Sequence, residues 1–206
     1  MTRDRVPGLR ERTRLAVRRE IAEAAEALFL ERGFHETTIN DIAQAVNMSP
    51  RSLFRYFPTK EDIMLEKLDK VLEEMVDALR QLPLDQPVWV SLRRTLDAMT
   101  EHVTGKAAFA VAEPIKRIML ETPDMLARYL VKLNGFQAEL ADVLRTRAAE
   151  RGQPFAADDA APRALAGAAV SCLVVAQQMW LALGATTEMS ELLDRTMHAV
   201  AVETRD

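Results

Sequence analysis

Between Gly33 and Ile63 the chain reads GFHETTINDIAQAVNMSPRSLFRYFPTKEDI, and no other stretch of its 206 residues constrains the fold as tightly. Two short helical patterns meet there across a turn. The first is expected from about Thr38 to Ala45. Thr38 can cap it by accepting an orphan backbone N–H, and Asp41, three residues on, suits the positive end of the helix dipole. Ile39, Ile42, Ala43 and Val46 recur at helical spacing and give one apolar face. Asn47 tolerates a left-handed conformation, so the chain can reverse there. Ser49 then caps a second helix with Pro50 at its first position, where no N–H is missed. That helix is predicted to last only to about Tyr56, because Pro58 cannot continue it and biases Phe57 away from helical geometry.

By periodicity alone, two ordinary surface helices joined by a turn fit as well as a helix-turn-helix that enters DNA. Leu53 and Phe57 would bury against the preceding helices. The opposite side collects Pro50, Arg51, Ser52 and Arg55, a display that a purely structural helix has little reason to make.

Three motifs carry a further resemblance. A first helix ends A-x-x-L-F-x-x-x-G-F over Ala25–Phe34, a Thr-Thr-Ile-x-x-Ile-Ala run covers Thr37–Ala43, and L-F-R-Y-F-P-T-K-E-D covers Leu53–Asp62. Together these residues closely resemble the N-terminal DNA-binding domain of the TetR family of bacterial transcriptional regulators. Mapped onto this chain, the resemblance implies that Pro50, Arg51, Ser52 and Phe54 reach base edges and that Thr38, Ser49, Tyr56 and Lys60 hold phosphates. Arg55 stands where the family often has an aromatic, so its partner is either a phosphate or a base. Arg51 suits guanine O6 and N7.

Composition agrees with an all-α chain: 49% apolar residues, only 5% aromatic, seven glycines, and Ala, Leu, Glu and Arg in abundance. The expected architecture is a three-helix helix-turn-helix domain (1–60, with an N-terminal arm) joined by a long helix to a helical-bundle domain (61–206) for effector binding and dimerisation. A single cysteine, Cys172, excludes an intramolecular disulfide and fits a reducing cytosol. The charged start MTRDRVPGLRERTR has no apolar segment of the secretory kind. The apolar stretch 164–185 carries Ser171, Gln177 and Gln178 and reads as a buried helix rather than a membrane span, so a cytoplasmic, nucleoid-associated protein is expected.

The overall charge of −4 seems ill suited to DNA until it is divided. Residues 1–60 hold eleven Lys/Arg against eight Asp/Glu, a net of +3, and residues 61–206 hold a net of −7. Seven arginines (3, 5, 10, 12, 14, 18 and 19) crowd the first nineteen residues against Asp4 and Glu11. Such an arm is expected to be disordered when free. It is either a solvated tail or a contributor to DNA affinity through counterion release or a minor-groove arginine.

Caps and breakers predict the remaining helices: a first from about Arg12 to Glu31, a fourth from Lys60 to about Leu82, a fifth from Pro87 to Gly105, and a sixth from Ala107 to Glu121 that Pro114 kinks or divides. A seventh follows Thr122–Pro123–Asp124 to about Arg151, an eighth runs from Asp158 to Leu183, and a ninth from Ser190 to Glu203. The eighth, with Ala164, Ala168, Val170, Leu173, Val174 and Val175, is apolar nearly all round and must be covered. A second copy of the chain, packing through 158–183 and 190–203, would cover it as a four-helix bundle across a twofold axis, though burial within one subunit would also do so.

An apolar effector pocket is expected in the second domain, with Met64, Trp89, Met99, Phe109, Met119, Met125, Phe136, Met179 and Trp180 as candidate walls. His102, Glu113, Asn134, Gln177 and Gln178 are the polar candidates. For any one of these apolar residues, plain core packing is the better reading.

Enzyme chemistry finds no foothold. There is no G-x-S-x-G elbow, phosphate-cradling glycine loop or H-E-x-x-H, and His35, His102 and His198 lie in different elements without zinc spacing. Cys172 reads as an inert core thiol. Neither cofactor nor metal is expected. The expected partners are an operator duplex, a small-molecule effector and a second copy of the chain. Two alternatives remain: a helix-turn-helix regulator controlled by a protein partner, and a helical interaction module without DNA binding.

Overall fold

The computed structural model describes residues 8–100 and 105–203. They form ten α-helices and two short 3-10 segments, with no strand among the described residues. The chain divides into two compact units, the first ending at Asp69 and the second beginning at Lys70.

The first unit holds α1 (Leu9–Arg32), α2 (Ile39–Ala45), α3 (Pro50–Phe54), α4 (Lys60–Met64) and the first turn of α5 (Glu66–Gln81). Its core is small. Ile21, Ala25 and Phe29 of α1 are buried with Phe34, Ile42, Leu53, Phe57, Ile63 and Leu65. Gly33 ends α1 at φ 91°, a backbone conformation that a side chain would strain.

Three sequence expectations need correction here. The N-terminal arm is helical over its described part from Leu9: Arg10, Arg12 and Arg14 are exposed on the first turns of α1, whereas Arg3 and Arg5 lie outside the described residues. The recognition helix stops at Phe54, and the Arg55 and Tyr56 N–H groups turn back to Ser52 and Leu53 three residues away. The predicted fourth helix is two. At Leu65 (φ −86°, ψ 0°) the helix tightens, and the Leu65 carbonyl accepts from Leu68 at 3.1 Å and only weakly from Asp69 at 3.4 Å. The tightened turn keeps both Leu65 and Leu68 buried while Glu66 is held by Arg18.

The second unit comprises the rest of α5 with α6 (Val88–Thr95), α7 (Gly105–Glu121), α8 (Pro123–Glu150), α9 (Ala161–Leu183) and α10 (Met189–Glu203). The expected fifth helix is shorter, because it passes into a 3-10 segment at Leu96–Met99. Pro114 sits inside α7 without dividing it, at the cost of one main-chain hydrogen bond. α8 and α10 both pack on α9, whose Ala166, Val170, Leu173, Ala176 and Trp180 are buried. By length and composition α9 could cross a membrane, but this inner stripe belongs to a packed helical core. The buried Arg147 of α8 fastens the end of α5, donating to the Leu79, Leu82 and Pro83 carbonyls at 2.9, 2.6 and 2.7 Å.

Candidate nucleic-acid interface

Three short helices present the interface, and each is started by a hydroxyl side chain. At α2, Thr38 and Asp41 cap one another: Asp41 N–H donates to Thr38 Oγ1 at 3.2 Å, and the Asp41 carboxylate accepts from Thr38 N–H at 2.8 Å and from its hydroxyl at 2.6 Å. These hydrogen bonds hold the Asp41 carboxyl below the ordinary carboxylate range. The Thr38 hydroxyl proton is thus engaged by Asp41, and its oxygen also accepts.

The turn between α2 and α3 is a left-handed C-cap. Asn47 takes φ 52°, its N–H returns to Gln44, and Met48 N–H returns to Ala43 at 2.8 Å. Asparagine tolerates that conformation where a branched residue would not. Ser49 then accepts from Ser52 N–H at 3.1 Å, with the two hydroxyls 2.9 Å apart, and Pro50 opens α3.

Leu53 and Phe57 anchor the inner side of α3 and are fully buried. The outer side carries Pro50, Arg51, Phe54 and Arg55, all exposed, with Phe54 50% accessible. Neither guanidinium pairs with a described residue. An apolar ring and two free cations on one outward edge leave apolar area and charge unmatched within the unit.

Lys60 and Tyr56 are less free. The Lys60 ammonium donates to the Phe34 carbonyl at 2.5 Å and the Thr37 carbonyl at 2.9 Å, and it lies 4.3 Å from the Phe34 ring centre. It therefore ties α4 to the α1–α2 connection. Tyr56 is half-buried, and its carbonyl accepts from Arg18 Nη1 at 2.6 Å.

Arg18 is the residue that sequence reasoning misplaced, by counting it with the arm. Its guanidinium pairs with Glu66 at the start of α5, lies 4.1 Å from the Phe57 ring centre and bonds the Tyr56 carbonyl. One side chain thus joins α1, the end of the recognition segment and the start of α5. The signal was present: Arg18 falls three and seven residues before the buried Ile21 and Ala25, on the inner stripe.

The effector candidates scatter more widely. Met64 is half-buried in the first unit. In the second, Met99, Met119, Met125, Phe136 and Trp180 are buried, Met179 is half-buried, and the half-buried Trp89 donates its indole N–H to the Met197 carbonyl at 3.2 Å. His102 and the Phe109 side chain lie outside the described residues. Glu113 pairs with Arg117 at 2.5 Å, the exposed Asn134 accepts from Arg163 at 3.0 Å, and Gln178 is exposed. Gln177 differs from these. It is buried and accepts from the Tyr129 hydroxyl at 2.8 Å, while its own Nε2 donates to no described residue. Burial raises the Tyr129 hydroxyl to about 12 despite that bond. On α7, Lys116 sits one turn before the buried Met119, without a partner among the described residues, and burial pushes its ammonium down to about 8.

Comparisons agree with this geometry. Residues 21–66 match the model for bacterial regulatory proteins of the tetR family. The HTH-type transcriptional regulator TcmR of Streptomyces glaucescens is 32% identical over 149 residues, covering 68% of this chain. The chain spans 64% of that relative's length, just under two thirds. Among solved structures, the fatty acid degradation regulator FadR from Bacillus halodurans aligns with a TM-score of 0.59 at 18% identity, over 94% of this chain and 95% of that one. Thermus thermophilus FadR, a TetR-family repressor in complex with lauroyl-CoA, aligns with a TM-score of 0.55 at 23% identity, over 88% and 91%. At such identities the structural likeness establishes the fold. With the capped helix-turn-helix and the matched segment together, residues 21–66 belong to the TetR family of bacterial regulatory proteins, and the all-helical chain shares the fold of solved members of that family.

Proposed function

We propose that the protein is a sequence-specific DNA-binding transcriptional regulator, a homodimeric repressor released from a palindromic operator by a small apolar or amphipathic effector. The observation that carries this reading is the outer edge of α3. Arg51, Phe54 and Arg55 stand exposed and unanswered on a scaffold otherwise closed by caps. In this reading Pro50, Arg51, Ser52 and Phe54 meet base edges, and Thr38, Ser49, Tyr56 and Lys60 meet phosphates. The protein would act in the cytoplasm, at the nucleoid.

Dimerisation would use α9 and α10. Ala164, Ala168, Ser171, Val175, Gln178 and Ala182 recur along α9 at alternating spacings of four and three, and all but Ala168 are exposed. That is the seam of a two-helix packing, with small residues that permit close approach. Two reading heads on a twofold axis would read two half-sites.

The effector would lie among α7, α8 and α9, where Gln177 Nε2 and the Lys116 ammonium await an acceptor. An acyl compound, of the kind bound by the Thermus protein, offers a carbonyl for such donors and a chain for the Met and Phe walls. Electrophoretic mobility shifts with DNA from upstream of its own gene test the reading. A discrete complex that requires Arg51 and dissolves on adding an acyl thioester is expected. Absence of any sequence preference over bulk DNA would sink it.

A further inference from the structure

A cavity of about 200 Å³ opens in the second unit, walled by Leu84, Val88, Leu144, Ala148 and Phe155 and edged by Gln86, Arg147, Arg151 and Gln153. It shares no lining residue with the Tyr129–Gln177 pair. Three observations say what it could hold. Its walls are apolar. Gln86 lies at its edge with Oε1 turned away from solvent and accepting from no described residue, so a turn of this half-buried amide toward an occupant would answer a desolvated acceptor. Arg147 is occupied by the three carbonyls at the end of α5, but the exposed Arg151, one turn on along α8, pairs with no described residue and leaves a free cation at the rim.

We propose that this cavity is a ligand site for a single-ring aromatic acid bearing a hydrogen-bond donor, a hydroxyaryl carboxylate in the simplest case. Size supports one ring: a cavity of about 150 Å³ accommodates benzene, so this one admits a ring with small substituents. The ring would replace water against Leu84, Leu144 and Phe155, the Gln86 amide would turn to accept from the hydroxyl, and the carboxylate would meet Arg151 at the mouth. Leu84, Gln86 and Val88 belong to the α5–α6 connection and the start of α6, and Arg147 grips the α5 end. An occupant therefore braces the segment where α5 terminates, a second input to the regulator beside the effector site proposed among α7, α8 and α9.

The test is an NMR titration of the full chain with 4-hydroxybenzoate and, separately, with benzoate. A ligand of about ten heavy atoms at ordinary efficiency should bind with a Kd near the millimolar range. Saturable shifts are expected at Val88, Ala148 and Phe155, with the hydroxy acid bound about 5-fold more tightly than benzoate. Gln86→Leu should abolish that difference and leave benzoate affinity unchanged. Arg151→Ala should weaken both acids by a similar factor, and Val88→Phe, which fills the cavity, should remove both sets of shifts. A native-like spectrum of each free variant guards against misfolding. The proposal is overturned if neither acid saturates by 10 mM, if the shifts centre on α7 and α9, or if Gln86→Leu keeps the preference for the hydroxy acid.

Discussion

The two units are held together by different means. In the first, α2, α3 and α4 are seven, five and five residues long, and each begins with a side-chain cap from Thr38, Ser49 or Thr59. Helices that short do not survive on propensity, so each needs local closure. In the second, α6 and α8 start at Pro87 and Thr122 with no side-chain cap bond, α9 has a single carboxylate cap from Asp159 to the Ala161 N–H, and long buried stripes do the holding. Polar satisfaction follows the same division. The buried Thr37 and the Lys60 ammonium of the first unit have carbonyl partners, whereas the buried atoms without partners among the described residues, Gln86 Oε1, Ser91 Oγ and Gln177 Nε2, all lie in the second. A reading head must keep one shape, while the unanswered groups of the second unit are what the proposed ligand would satisfy. The difference in construction fits that division of labour.

The largest effect should come from the second unit's core. Trp180→Ala removes a fully buried indole from α9 and should cost about 3–5 kcal/mol in urea unfolding. A loss below about 1 kcal/mol would mean that α9 is not held by its inner stripe, and the contrast between the units would collapse.

On DNA the contrast runs the other way, because the exposed edge matters and the core does not. Arg51→Ala should leave stability unchanged but lose about 1–3 kcal/mol of discrimination at one position per half-site. Lys60→Ala should weaken all sequences alike and, unlike Arg51→Ala, should also lower the melting temperature, since the Phe34 and Thr37 carbonyls lose their partner. Competition binding with point-substituted operators, together with thermal melts, separates the two. A stable Lys60→Ala protein would show its ammonium to be free for phosphate alone.

The same contrast explains what could be read from the sequence. Caps, the left-handed Asn47 and the breaker Pro58 act within four residues, so the helix-turn-helix was legible almost to the residue. The end of α3 and the break at Leu65 were not, because Pro58 acts through a tightened turn and Leu65 through burial and the Arg18–Glu66 pair, forty-eight residues apart in sequence. Long-range partners hid Arg18 and Arg147 in the same way. In the second unit periodicity placed the helices but could not distinguish core from pocket. Gln177 and Gln178 are neighbours in sequence, and only packing put one inside against Tyr129 and the other outside.

Paired cap substitutions are a smaller and more direct test of how the units differ. Thr38→Ala should cost about 1 kcal/mol, because it leaves the Asp41 N–H without its acceptor and removes the hydroxyl bond to the Asp41 carboxylate, while the main-chain N–H bond to that carboxylate stays. Thr122→Ala, at a helix start where the hydroxyl caps nothing, should stay within about 0.5 kcal/mol. Chemical denaturation of the two variants side by side gives the answer. Equal losses would mean that long helices depend on their first turn as much as short ones do.

The smallest effect concerns Lys116, a charge of the second unit without a partner among the described residues. Its folded value of about 8 lies below that of the unfolded chain, about 10.5. Between those values the unfolded chain carries a proton that the folded one has released, so this group makes stability rise with pH across the window. The penalty is fully present below pH 8 and gone above about 10.5. Because a half-buried lysine can bring its ammonium toward water, the effect should stay below about 1 kcal/mol. Lys116→Met should accordingly stabilise the protein slightly at pH 7, with the advantage fading by pH 10. Tyr129, raised to about 12, acts in the opposite sense above pH 10, so the comparison belongs between pH 7 and 10, as the difference between variant and parent. A constant difference across that range would show that Lys116 finds an anion or reaches water freely, and the effector site proposed among α7, α8 and α9 would then lack one of its two donors.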